Sequence, residues 1–173
     1  MAKITIKQHD ITDCGAACLA SISSHYNLQI PIARIRQYAG TDKKGTNVLG
    51  LIEAAEKLGF EAKGVRGELD SLFKIPKPAI AHIIVKEQLH HYVVIYEVTK
   101  EFIKIMDPGD GKIHKKTHKE FLKEWTGVLV LLLPKEEFTP TIEKVSVLKR
   151  FWFLLKPHKL VLFQALIGAI IYT

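Results

Sequence analysis

Along the first third of the chain, apolar residues recur with a helical period; beyond it they alternate in short runs. The helical pattern predicts helices over Cys14–His25, over Ile32–Tyr38 and over 48–58, the last closed by Gly59 just past its end. After Gly59 come "EAKGVRG", "PAIAHIIV", "HYVVIYEV", "FIKIMD" and "GVLVLLL", short segments rich in β-branched and aromatic residues and separated by Gly, Pro or charged turns. These read as antiparallel strands, with the amphipathic "THKEFLKEW" as a helix before the last of them. Helices first and strands afterwards indicate an α+β domain. It is expected to span residues 1–134, with "KEEFTPTIEKVS" opening a polar linker over 135–147.

The pattern then changes again. From residue 148 a basic and aromatic stretch, with Lys149, Arg150, Phe151, Trp152, Phe153, Lys156 and Lys159, precedes 14 residues that hold one Gln and no charge. That run is shorter than the roughly 20 residues of a membrane span. The order of basic residues, aromatic residues and apolar run is nonetheless that of a cytoplasmic interfacial segment entering a span. Residues 148–173 are therefore expected to be an interfacial segment and the start of a first transmembrane helix.

Composition narrows the function. The chain has 173 residues, 47% hydrophobic and 25% charged, enough for one domain with a core and something more. Two cysteines four residues apart exclude a disulfide framework and do not have zinc or redox spacing. The opening "MAKITIKQHD" lacks the apolar stretch of a secretory signal. A net charge of +7 comes from lysines scattered without interleaved aromatics, so nucleic acid is not an expected partner. No phosphate-binding loop and no convincing metal spacing occur.

Candidate chemistry centres on Cys14. Thr12 and Asp13 are helix-capping types, which puts Cys14 in a first turn, where N–H groups and the helix dipole stabilise a thiolate. Gly15 beside it is expected to let a substrate backbone come close. Helix position alone leaves open an inert buried thiol. A thiol protease also needs a base, a group that orients the base and an oxyanion donor. His91 at the mouth of one strand and Asp107 at the end of the next would be brought together by a hairpin, and Gln8 lies on the approach to the helix. His90 points to the opposite side of the strand from His91. Cys18 is expected as a packed thiol, His82 as a satisfied histidine on the sheet, and Asp10 and Asp13 as capping or loop-bonding carboxylates.

"QHDITDCGAACLA", "HHYVVIY" and "MDPGDGK" together resemble the three motifs of the C39 peptidases. In that family a papain-like cysteine protease domain stands at the N-terminus of bacterial ABC transporters that process and export peptides with double-glycine leaders. The similarity runs over about residues 4–134, and the pattern Gln-x-Asp-x-x-Asp-Cys-Gly-x-x-Cys is complete from Gln8 to Cys18. The resemblance implies a papain-like fold with Cys14 as nucleophile, His91 as general base, Asp107 as its orienting acid and Gln8 in the oxyanion hole. It further implies cleavage of a precursor peptide after Gly-Gly, Gly-Ala or Gly-Ser, at the cytoplasmic face of the bacterial membrane, coupled to export by the transporter domains of a homodimer. No cofactor is expected in this stretch; ATP and Mg belong only to the nucleotide-binding domain of a full-length transporter. Two other readings stay open: a non-catalytic domain that only docks leaders, and an acyl or isopeptide hydrolase on the same scaffold.

Overall fold

The computed structural model describes residues 3–142, 155–159 and 164. Three helices come first, α1 (Cys14–His25), α2 (Ile32–Tyr38) and α3 (Val48–Lys57). There follow β1 (Phe60–Arg66), a one-turn α4 (Leu69–Leu72), β2 (Ala79–Val85), β3 (Leu89–Val98), β4 (Ile103–Asp107), β5 (Lys112–Lys116), α5 (His118–Glu124) and β6 (Trp125–Pro134). The strands form one antiparallel six-stranded sheet in the order β1-β6-β2-β3-β4-β5. The α+β expectation thus holds, with two additions. β5 has the sequence "KIHKK", whose one apolar residue gives no alternation to read; lysines on an edge strand are what keep it from pairing further. α4 is a single turn, too short for a period.

The sheet's centre is covered on both faces, so β2, β3 and β6 are apolar over most of their length. Successive residues of β3 serve the two sides in turn: Tyr92, Val94 and Tyr96 join the core beneath α1 and α3, while Val93 and Ile95 join Phe121, Trp125 and Leu129 in the core near α5. α5 starts on a capping box, in which Thr117 accepts from Glu120 N and the Glu120 carboxylate accepts from Thr117 N.

α1 is buried from Cys14 through Ser24. Such a helix can carry few large side chains, and "CGAACLASISS" is mostly small. A Cβ on Gly15 would stand 3.2 Å from Leu51 and 3.3 Å from Thr46, so this glycine is needed for close packing against α3 and the loop before it. The amino-terminal strap crosses over this helix. Tyr96 donates its hydroxyl to the Ile4 carbonyl, Ile6 N donates to Ser21 Oγ at 3.1 Å, and Gln8 N donates to the Pro108 carbonyl at 2.8 Å.

The first compact unit takes in residues 135–142 as well. Residues 135–142, expected as a linker, are held down: Phe138 packs on Phe60 and Tyr26 with ring centroids 4.9 and 6.4 Å apart, Gln29 N donates to the Thr141 carbonyl at 3.0 Å, and Gln29 pairs with Ile142 in a parallel bridge. The surrounding Lys and Glu residues conceal the one anchoring ring from a reading by composition. The interfacial segment and span expected over 148–173 lie outside the described residues, except for 155–159 and 164, which include a 3-10 turn at Lys156–His158 with Pro157 at its start. Among the described residues no helix is long and apolar enough to cross a membrane.

Replacing Phe138 with Ala removes an aromatic anchor that is half-buried, so it should cost about 1–3 kcal/mol, below the range for fully buried phenylalanines. Thermal unfolding of the variant checks this. A melting midpoint equal to that of the parent would show that residues 135–142 are not part of the folded unit.

Candidate active site

The sequence from Gln8 to Cys14 folds as a lead-in to α1. Residues Ile11–Asp13 form a 3-10 turn whose N-cap, Asp10, accepts from Thr12 N at 2.9 Å, while Asp10 N donates to Asp13 Oδ2 at 3.1 Å. Asp10 and Asp13 therefore do the capping and loop bonding expected of them. Asp13 nevertheless does not cap α1: it occupies the N-cap position and makes no cap hydrogen bond there. Cys14 follows as the first residue of α1, 5% exposed.

His91 comes from the first half of β3 and Asp107 from the last position of β4, the two strands being paired antiparallel. His91 Nε2 and Asp107 Oδ1 lie 2.8 Å apart, and the same Asp107 oxygen accepts from Gly109 N at 2.8 Å. The residue is 7% exposed. Burial works against its protonation, but hydrogen bonds to Asp107 and to the Cys14 side chain, with the attraction of both groups, carry its pKa up to about 9. Burial likewise opposes ionisation of Asp107; the bonds from His91 and from Gly109 N outweigh it and hold the carboxyl below its ordinary value. With Nε2 committed to Asp107, Nδ1 is the nitrogen left for the thiol. When the ring is neutral, the carboxylate fixes the proton on Nε2 and leaves a lone pair on Nδ1.

The structure brings Cys14, His91 and Asp107 together: Asp107 bonds the imidazole, and the Cys14 side chain stands close enough to raise its pKa. Gln8 reaches the same turn, because its backbone is tied to Pro108, the residue after Asp107. Its side-chain Oε1 is buried with no protein partner. Gly111, at φ +70°, closes that turn, and a Cβ there would stand 2.9 Å from the Lys7 side chain, so a glycine lets the strap pass.

Neighbouring residues have other duties. Thr126 donates its hydroxyl to the His82 carbonyl at 3.0 Å and so accepts from His82 Nδ1 at 2.9 Å; the remaining nitrogen, Nε2, receives His90 Nδ1 at 3.1 Å. His90 and His91 diverge as adjacent strand residues must. Burial, followed by the charges of His90 and His91, lowers the His82 pKa. Cys18 is fully buried, and burial with the nearby Cys14 raises its thiol well above the usual value. Sequence reading missed the ion pair between Arg36 Nη1 and Asp13 Oδ1, 2.7 Å long. No group of three or more metal-ligating side chains occurs among the described residues.

Comparison with known proteins places this geometry. The model of the peptidase C39 family matches residues 3–137. The lactococcin-G-processing and transport ATP-binding protein LagD of Lactococcus lactis is 46% identical over 161 residues, 92% of this chain and 23% of that protein. The transport/processing ATP-binding protein ComA of Streptococcus pneumoniae is 35% identical over 148 residues, 83% of this chain and 20% of that protein. The chain thus spans about a quarter or less of the length of these curated relatives. Among solved structures, the peptidase domain of Streptococcus ComA, a bi-functional ABC transporter of a quorum-sensing pathway, superposes with a TM-score of 0.73 at 35% identity, covering 78% of this chain and all of that one. A double glycine motif protease from an AMS/PCAT transporter, in complex with its leader peptide, gives 0.70 at 32% identity, covering 76% of this chain and 91% of that one.

The raised His91 pKa has a measurable consequence. Protonated His91 stabilises the fold in full below the unfolded histidine's pKa of about 6.5, and that contribution is lost as pH rises through about 9. The difference in melting temperature between the parent and His91→Gln should therefore be widest near pH 6 and level off above pH 9. A difference independent of pH would contradict the raised pKa.

Proposed function

The chain belongs to the peptidase C39 family and is a cysteine peptidase domain, and on that footing we propose that it removes leader peptides after a double-glycine-type pair from precursors exported by an ABC transporter. The carrying observation is the Cys14–His91–Asp107 chain at the N-terminus of α1. Its chemistry balances without any further group. The Cys14 thiol gives its proton to His91 Nδ1, and the sulfur adds to the carbonyl carbon of the residue that ends the leader. His91 then passes the proton to the amine as the C–N bond breaks, leaving a thioester on Cys14. Water, deprotonated by His91, hydrolyses the thioester, and the thiol is restored.

Asp107 holds the imidazole and offsets its charge at each protonated stage. Gln8, with a backbone N–H of the first turn of α1, donates to the oxyanion. All these parts are side chains or main chain, so the domain itself calls for no metal or cofactor; ATP and Mg would serve a nucleotide-binding domain in the longer protein. A site that accepts Gly-Gly, Gly-Ala or Gly-Ser would be too narrow for larger side chains beside the scissile bond. The LagD and ComA relatives, four times longer or more, support a place for the domain at the cytoplasmic face of a bacterial membrane. Residues 148–173 would lead there into the transmembrane part of a homodimeric exporter.

Incubation with a double-glycine precursor and mass spectrometry of the fragments tests the reading. Cys14→Ala should abolish cleavage while leader binding and folding persist; cleavage by that variant would end the assignment. Cys18→Ala, its control, should retain turnover. His91→Ala should lower kcat by about 10²-fold or more, and His90→Ala should be mild. Gln8→Ala should raise the barrier of the chemical step by about 2.7–4 kcal/mol. Unchanged single-turnover rates would remove Gln8 from the site.

A further inference from the structure

Asp13 is a residue type that ordinarily closes a helix by accepting from its first-turn N–H groups. Here it lies in the αR region, at φ −89° and ψ −4°, and its carboxylate is directed back over the preceding turn. One oxygen accepts from Asp10 N at 3.1 Å, and the other meets Arg36 Nη1, reaching over from α2, at 2.7 Å. The residue is 2% exposed. Directed forward instead, the carboxylate would occupy the N–H groups of the first turn and set a negative charge against the residue that follows it, Cys14. A negative charge there disfavours a thiolate, and it competes with the oxyanion for the same donors.

We propose that Arg36 is a positioning residue for the nucleophile: it draws the Asp13 carboxylate off the N-terminus of α1 and neutralises it, leaving the first-turn N–H groups to the Cys14 sulfur and the oxyanion. The inference rests on Cys14 being the nucleophile. It accounts for a buried carboxylate next to a reacting thiol, an arrangement that works against thiolate chemistry unless a fixed cation compensates it. Arginine suits the task, since its charge is permanent.

The titratable groups facing Cys14 are His91 of β3 with Asp107 behind it, Tyr92 on the same strand and Cys18 on α1. Those around the ion pair are Asp10, bonded to Thr12, and His9, which lines a cavity of about 410 Å³ with Asp13 and Arg36. Asp42 and Lys43 line a second cavity, on which Arg36 also borders.

The test is the pH dependence of Cys14 alkylation by iodoacetamide, read by mass spectrometry of the Cys14 peptide, alongside kcat/KM for leader cleavage. Arg36→Met should move the acid limb of both profiles up by about 0.5–1.5 pH units, and Asp13→Asn should move it down. The double variant should return it close to the parent. Arg36→Lys, which keeps the charge, should leave the limb where it is, and it decides the matter with Asp13→Asn if Arg36→Met does not fold. Limbs that stay fixed in Asp13→Asn, or shift the same way in both single variants, would overturn the role of Arg36 while leaving Cys14 as nucleophile. Cleavage by Cys14→Ala would instead remove the reading on which the inference stands.

Discussion

A helix enclosed along nearly its whole length leaves room only for small side chains, and the domain is arranged around that constraint. α1 packs on the sheet through β3 and against α2 and α3, and the strap of residues 3–8 crosses over it. Its small residues let the neighbours approach, with Gly15 wedged against Leu51 and Thr46. Close packing fixes where Cys14 stands, and the antiparallel pairing of β3 with β4 fixes where His91 and Asp107 stand. The three meet because both supports are rigid.

Electrostatics then gives each acid near the site a separate duty. Asp107 is bound by His91 and Gly109 N, which keeps it ionised and the imidazole oriented. Asp10 is spent on the backbone and hydroxyl of Thr12. Asp13 is held by Arg36 and Asp10 N. The neighbouring histidines are also occupied, since the Thr126–His82–His90 chain satisfies two rings without involving the third.

Much of this was legible before any coordinates. The ends of α1 and α2 and the order of the apolar strands follow from periodicity, because burial on one or both faces leaves a repeating pattern. The motif residues Cys14, His91, Asp107 and Gln8 each belong to a recognisable stretch, and the fold brings those stretches close together. What escaped notice depends on contacts remote in sequence. Nothing local to Asp13 announces Arg36, which arrives on another helix. Phe138 looked like an isolated ring in a polar stretch, although Phe60 and Tyr26 wait for it across the fold. β5 was hidden by its lysines, and the packing duty of Gly15 by the proximity of Cys14, which invited a functional explanation.

Residues 135–142 do more than lengthen the domain. The chain leaves β6, turns back over Phe60 and Tyr26, and pairs its main chain with Gln29, just beyond the C-terminal end of α1. Tension applied beyond Ile142 is thus met by that parallel pairing and the Phe138 contact before it reaches β6. Residues 135–142 and the segment just after α1 thus share one mooring, at the opposite end of that helix from Cys14.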